Sequence, residues 1–473
     1  MMKHRAVRII VLIIAVIAAI WGVACVCLYF FEPADPVRFD MADINEACLR
    51  VYDGFSDPDL YIYNVKREDI VPADDTGMYI VKNTILFCSS DGAPGIDGFE
   101  TVGFVAPMNM YQLRSARDMS YSELLSVCES LTSETAEALP DYFEFTPSQS
   151  DEVGMLNRDA RKTVSSVGLD GFIDSAEPVP VAVLDEFVGE NSDYTLMNGC
   201  LADADYFSDY GNLHGNMVAG LIGGARTGVY PKSRIYAYCG INTDIAYWMS
   251  SVAKAAAVDR ARVINICMGY DNYQVAGATA KNENALSFMS DESAFTAACL
   301  ENLFADKQND CLIVISAGNG SDKRFYKDSD AYFGVAQKPI LEKLDVFGVF
   351  TAVDYLDSKY SLFFTNLPES LSDRVLTVGA TDSDGKVAAY SNHGADIFAC
   401  GEKIMSCATE GMYAHTSGTS MAAPQVSGAA ALMYGLDPGL TAPEVRAILL
   451  ETAVDEILNV AAAAERVSQT VGK

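Results

Sequence analysis

Three side chains in this sequence have the types that nucleophilic acyl transfer requires. Asp185 ends the apolar run Val181-Ala182-Val183-Leu184, and His214 opens the stretch His214-Gly215-Asn216-Met217-Val218-Ala219-Gly220. Ser420 sits within Ser417-Gly418-Thr419-Ser420-Met421-Ala422-Ala423-Pro424. A serine hydroxyl is a weak nucleophile and needs a base within hydrogen-bond reach. An imidazole serving as that base needs a carboxylate on its other nitrogen, to fix its tautomer and stabilise its cation. A helix beginning at the serine adds backbone N–H groups and a positive dipole end where an oxyanion would form. Taken singly, each residue has a plainer reading: a turn aspartate, a surface histidine, a cap before a close-packed helix. The chain has only four histidines, at 4, 214, 393 and 415, so few bases are on offer. His393 and His415 read as loop residues.

Together, and in the order Asp, His, Ser, the three stretches resemble the catalytic motifs of the subtilisin-like serine peptidases (subtilases, S8 type). That chain order is the one known for subtilisin. The resemblance runs from about residue 152 to 467, and Gly228-Val229-Tyr230-Pro231 and Thr377-Val378-Gly379-Ala380 fall in register with it. It implies a subtilisin-like three-layer α/β fold, a mostly parallel central sheet flanked by helices, and a peptide or protein substrate. It also implies Asp185, His214 and Ser420 as the triad. Asn319, in Ile315-Ser316-Ala317-Gly318-Asn319-Gly320, would donate to the oxyanion. Cys267, Met268 and Gly269, ending Ile264-Asn265-Ile266-Cys267-Met268-Gly269, would pair with substrate backbone and wall the specificity pocket. The chemistry requires no cofactor. Structural calcium is common in such enzymes, yet no stretch matches a calcium loop closely enough to name ligands.

Two places depart from the family pattern. Glu186 and Phe187 follow Asp185 where a small hydroxylated residue and Gly are usual, and Asn216-Met217 replaces Thr-His after His214-Gly215. If the chain bends at Glu186, its carboxylate approaches His214 and favours the imidazolium, which predicts activity skewed to alkaline pH. The altered surroundings also motivate an alternative, a catalytically silent subtilase that binds peptides. Retention of Asp185, His214, Asn319 and Ser420 argues against it. An α/β-hydrolase esterase does not fit, because Gly418-Thr419-Ser420-Met421-Ala422 is not GxSxG and the serine comes last.

The elements that must hold these residues are strands alternating with helices. Val179–Leu184, Val263–Cys267 and Leu312–Ile315 are nearly uninterrupted Val, Ile and Leu, the texture of parallel strands buried on both faces; Arg234–Tyr238 and Val375–Val378 complete the set. This peptidase domain spans 179–473. The stretch 321–373 is longer than its family counterpart and rich in aromatic and charged residues, which fits either a surface insertion or a substrate-gating lid.

Ahead of it, residues 77–147 read as a small α+β unit: strands at Met78–Val81, Ile85–Phe87, on both sides of Pro107 and at Tyr142–Phe145, with a helix opened by a Ser120/Glu123 capping box. It is loosely similar to the inhibitory prodomains of the family, the chain's own prodomain then being a partner of the peptidase, with a cut between Thr146 and Glu152. A permanent spacer or adhesion domain is the plainer reading. Residues 32–76 read as an acidic spacer, and 148–178 as a linker and processing region.

Residues 1–8 carry Lys3, Arg5 and Arg8, and Ile9–Phe31 has no charged side chain. A helix of that length reaches roughly 34 Å, enough to cross a bilayer. It is read as an N-terminal transmembrane anchor with a cytoplasmic N-terminus and an extracytoplasmic catalytic domain. A cleaved signal peptide or a lipoprotein site near Cys25 is the alternative.

With 33 Lys+Arg against 64 Asp+Glu, the net charge is −31, which excludes a nucleic-acid partner that needs a concentrated basic face. At 50% hydrophobic and 21% charged, the chain has ample material for packed cores. None of the twelve cysteines forms a zinc-spaced pattern, and several sit in apolar runs where a buried free thiol is expected.

Overall fold

The computed structural model describes residues 55–73, 79–144, 158, 163–186, 188–198, 213–240, 243–267, 284–319, 368–392, 395–408 and 411–471. The run 9–31 lies outside them, and among the described residues no helix is long and apolar enough to cross a membrane.

The N-terminal unit contains β1 (Ser56–Asp57), β2 (Leu60–Tyr61), β3 (Ile70–Pro72), β4 (Tyr79–Ser89), β5 (Phe99–Val105), β6 (Met110–Ser115), α1 (Tyr121–Leu131) and β7 (Ala136–Glu144). The capping box forms as the sequence predicts: Ser120 Oγ accepts from the Glu123 N–H, and the Glu123 carboxylate accepts from the Ser120 N–H. Burying an 11-residue β4 in the middle of the sheet gives the unit its core. The segment 56–72, read as acidic spacer, instead supplies three strands. Phe55, Leu60, Ile62, Val65 and Ile70 are buried there, so the apolar residues scattered among the acids act as a strand edge.

The second unit contains α2 (Asp170–Ser175), β8 (Val179–Asp185), β9 (Thr195–Asn198), α3 (His214–Gly223), β10 (Ser233–Cys239), β11 (Thr243–Asp244), α4 (Ile245–Ala253), β12 (Val263–Ile266), α5 (Asn284–Ala305) and β13 (Leu312–Ser316). It continues with β14 (Val375–Thr381), β15 (Ile397–Cys400), β16 (Ile404–Cys407), β17 (Tyr413–Thr416), α6 (Thr419–Leu436), α7 (Ala442–Thr452) and α8 (Val460–Val471). Among the described residues its main sheet has seven strands in the order β15-β14-β13-β12-β8-β10-β9, every pairing parallel. The expected parallel strands are therefore present, and β8, β12, β13 and β14 are buried along nearly their whole length. The stretch 163–178, read as linker, packs on this unit. Leu169 is fully buried, Ser165 Oγ donates to Gln425 Oε1, and the Glu177 N–H donates to the Gly435 carbonyl.

Chain order reverses at β8, with β10 on one side and β12 on the other. In open α/β sheets such a switch point opens a crevice beyond the carboxyl ends of the strands. Asp185 ends β8, Cys267 follows β12, and Asn319 lies just past β13, so the sheet delivers all three to that edge.

The two units share a core. The C-terminal end of β7 pairs antiparallel with β11 through Thr243↔Glu144 and Asp244↔Phe143. One apolar cluster joins Leu86, Leu139 and Phe143 to Tyr247, Phe295 and Leu303 on α4 and α5. Side-chain alternation divides the sheet. Tyr142 reaches back to Tyr121 on α1, with the hydroxyls 2.8 Å apart, while Asp141 reaches forward to the α4 N-terminus.

Candidate active site

Asp185 and His214 meet directly. Asp185 is fully buried, the His214 side chain is one-tenth exposed, and Nδ1 lies 2.6 Å from Asp185 Oδ1. The same oxygen accepts the Glu186 backbone N–H at 2.8 Å. Glu186 thus contributes a main-chain donor that helps fix the aspartate's orientation. Asn216, one of the departures from the family pattern, is a clamp. Its Oδ1 accepts from the Gly189 N–H and from Tyr194 Oη, and its Nδ2 donates to the Ala408 carbonyl. It ties the loop after β8 to the start of α3 and so fixes the separation of the two motifs.

Ser420 lies in the first turn of α6, 6% exposed. Pro424 has no N–H to return to the carbonyl four residues back, which leaves the Ser420 carbonyl without its helical donor. Cys267 Sγ fills that place at 3.6 Å, and Asn265 Nδ2 in turn donates to Cys267 Sγ at 3.2 Å. Asn265 Oδ1 accepts from Ser427 Oγ, about two turns further along α6. Burial first, and the Asp185 charge second, push the Cys267 thiol well up, so it stays a neutral donor. This chain of contacts links β12, the Asp185 neighbourhood and the Ser420 turn. Met268 and Gly269 lie outside the described residues.

Asn319 is oriented by its neighbours. Its Oδ1 accepts from the Thr419 N–H at 2.8 Å and from Thr419 Oγ1 at 2.9 Å, while Thr419 Oγ1 accepts the Gly318 N–H at 3.1 Å. Two hydrogen bonds to the amide oxygen fix the orientation of the Asn319 side chain. Gly318 has φ of +92°, a conformation that favours glycine, and Asn392 secures its loop by donating to the Ala317 carbonyl. A Cβ built on Gly418 would stand 3.3 Å from Asn319 Nδ2 and 3.7 Å from the Ser420 N. The Asn319 amide, through Nδ2 and through Oδ1 at 3.8 Å, and the Ser420 N–H therefore border the space that glycine leaves open.

His415 is exposed on β17, with Nδ1 2.9 Å from the Lys403 carbonyl, and His393 lies outside the described residues. Most of the insertion 321–373 lies outside them as well. Among the described residues no group of three or more His, Cys, Asp or Glu is arranged to hold a metal ion. Motif reading gives Thr419 and Asn392 no role and marks Asn216 only as a departure from the family pattern. Thr419 adjoins the serine; Asn392 and the clamping role of Asn216 are recognisable only once distant loops are brought together.

Comparison with known proteins agrees with this geometry. Residues 161–472 match the model of the subtilase family, peptidase S8. The epidermin leader peptide-processing serine protease of Staphylococcus epidermidis is 27% identical over 46% of this chain and 48% of its own length. A thermophilic serine proteinase of a Bacillus species is 26% identical over 58% of this chain and 56% of its own. Subtilisin BL of Lederbergia lenta is 25% identical over 58% of this chain and 83% of its own. The chain thus spans about half the length of the first two relatives. With a family match over 161–472, most of its length, this chain belongs to the subtilase family.

Proposed function

We propose that this chain is a serine endopeptidase carrying its own inhibitory prodomain, residues 55–144, and anchored in the membrane through residues 9–31. Ser420 Oγ attacks the scissile carbonyl carbon while His214 Nε2 takes its proton. Asp185 holds His214 Nδ1–H and balances the imidazolium. Asn319 Nδ2 and the Ser420 N–H stabilise the oxyanion, and the imidazolium then protonates the leaving amine. Water repeats the sequence on the acyl-enzyme. The step uses no cofactor.

The observation that carries this reading is the 2.6 Å contact between His214 and buried Asp185, on the sheet edge that also holds Asn319 and Cys267. The prodomain reading rests on β7, whose last residues pair with β11 and lead the chain onto the peptidase unit. A cut between Thr146 and Glu152 leaves the N-terminal unit held by non-covalent contacts. The anchor rests on the uncharged run behind Lys3, Arg5 and Arg8, which sets the N-terminus in the cytoplasm and the peptidase outside.

The test uses the full chain and its Ser420→Ala variant, each treated with a fluorophosphonate. Wild type labels at Ser420 and self-cleaves near residue 150; the variant does neither. A wild-type chain that neither labels nor self-cleaves across pH and salt is a silent relative instead.

A further inference from the structure

Two cysteines from different units face each other across the shared core. Cys88 lies on β4 of the N-terminal sheet and Cys299 on α5 of the peptidase unit. Both are free thiols, and both are fully buried. Burial first, and the neighbouring Cys88 thiol second, push the Cys299 thiol well up. Asn302, one turn along α5 from Cys299, donates through Nδ2 to Cys88 Sγ at 3.3 Å and to the Met108 carbonyl at 3.0 Å. Cys88 Sγ also donates to the Met108 carbonyl at 3.4 Å. Cys88 Sγ is thus held by polar groups from both units, on the stretch of α5 that carries Cys299, rather than merely filling apolar space.

We propose that Cys88 and Cys299 close into a disulfide that locks the N-terminal sheet onto the peptidase unit. The reaction is thiol–disulfide exchange with a small disulfide or a disulfide-carrying protein. One cysteine attacks as thiolate and forms a mixed disulfide. The second displaces the carrier, so an S–S bond forms here while the oxidant's two sulfurs leave as thiols with both electrons. Burial pushes the Cys299 thiol well up and makes it inert in the docked state, so exchange takes place as the units come together during folding. Once closed, the bond is shielded from reductants by the same burial. Cys239 is itself disulfide-bonded, its partner outside the described residues, so the proposal asks for no redox setting foreign to this chain.

The consequence for activity rests on reading residues 55–144 as a prodomain; the bond itself does not. If the prodomain reading holds, a cut between Thr146 and Glu152 leaves the inhibitor covalently tethered, and reduction becomes a second requirement for release.

The full chain carrying Ser420→Ala, in which self-processing plays no part, separates the two ideas. It is unfolded in reductant, refolded in a glutathione redox buffer, blocked with N-ethylmaleimide, digested and analysed by mass spectrometry. The expected result is a peptide pair joined through Cys88 and Cys299, absent from a sample refolded in reductant and from Cys88→Ser and Cys299→Ser chains. Recovery of both cysteines as maleimide adducts, or joined to other cysteines, overturns the proposal. The wild-type sulfurs are the readout, so a variant that misfolds leaves the answer intact. A second arm nicks the refolded chain near residue 150 with added protease and follows the N-terminal fragment by size exclusion. Reductant should speed its release by roughly a hundredfold or more, since a tether raises effective concentration. Equal release rates with the cross-link present would leave the bond but refute the lock.

Discussion

Asn319, the proposed oxyanion donor, is held by one neighbouring residue. Thr419 engages Asn319 Oδ1 through both its N–H and its Oγ1, and the Oγ1 is anchored by the Gly318 N–H. Removing the donor itself, Asn319→Leu, should lower kcat by about a hundredfold or more with KM little changed, the scale known for this donor in subtilisin. Thr419→Ala keeps the main-chain contact and loses the hydroxyl, and should cost about tenfold in kcat. Because both act on one amide, adding Thr419→Ala to Asn319→Leu should cost little more, and a double-mutant cycle reads that coupling directly. Fully additive losses would show that Thr419 acts elsewhere. The same scale shows where sequence reading stops. Ser417 to Pro424 is legible because a nucleophile, a helix start and a proline lie within one short run. The contact between the Cys267 thiol and the Ser420 carbonyl, by contrast, joins partners 153 residues apart. No local pattern carries a bond of that span.

Among the elements, the β7–α4 junction carries a titratable pair. Asp141 is fully buried, accepts from Gln112 Nε2 at 2.6 Å and from the Ala246 N–H at 3.4 Å, and neighbours buried Asp244, which caps α4 through the Tyr247 N–H. Burial first, and the Asp244 charge second, hold the Asp141 carboxyl protonated well above its ordinary value of 3.8. The docked state therefore binds that proton more tightly than the undocked one. Docking is strongest below that ordinary value and weakens as pH rises through the raised one. Asp141→Asn is neutral throughout and still offers an acceptor to Gln112, so its profile should be flatter. Melting temperatures of both chains between about pH 4 and 9 check this, and parallel profiles would remove Asp141 as the cause. The long, regular elements around this junction were readable: β8, β12 and β13 from unbroken aliphatic runs, and α1 from its capping box. The two-residue strands β1, β2 and β11 were not. Each exists because a neighbouring strand offers backbone partners, and such tertiary pairing leaves little trace in local composition.

At the scale of the molecule, the two units are not independent bodies joined by a spacer. Large apolar side chains of α4 and α5, among them Tyr247, Trp248, Phe295 and Leu303, are buried in the same cluster as Leu86, Leu139 and Phe143 of the sheet. Phe55 stacks edge-on against Tyr247 with ring centroids 5.3 Å apart, and Asn302 reaches the Met108 carbonyl. A peptidase unit without the sheet would turn that apolar face of α4 and α5 to water, at roughly 25 cal/mol for each Å² uncovered. High net negative charge keeps such a chain soluble but contributes no packing. Residues 148–473 expressed alone should therefore melt lower than the full chain and refold in several-fold lower yield. Supplying residues 55–147 as a separate polypeptide should restore both, because the contacts are surface-to-surface and need no peptide bond. A permanent spacer makes the opposite demand: its removal leaves the melting temperature and refolding yield of the peptidase unit unchanged. Calorimetry on the two forms, each carrying Ser420→Ala to prevent self-digestion, decides between a domain that completes the core and one that only spaces the peptidase unit.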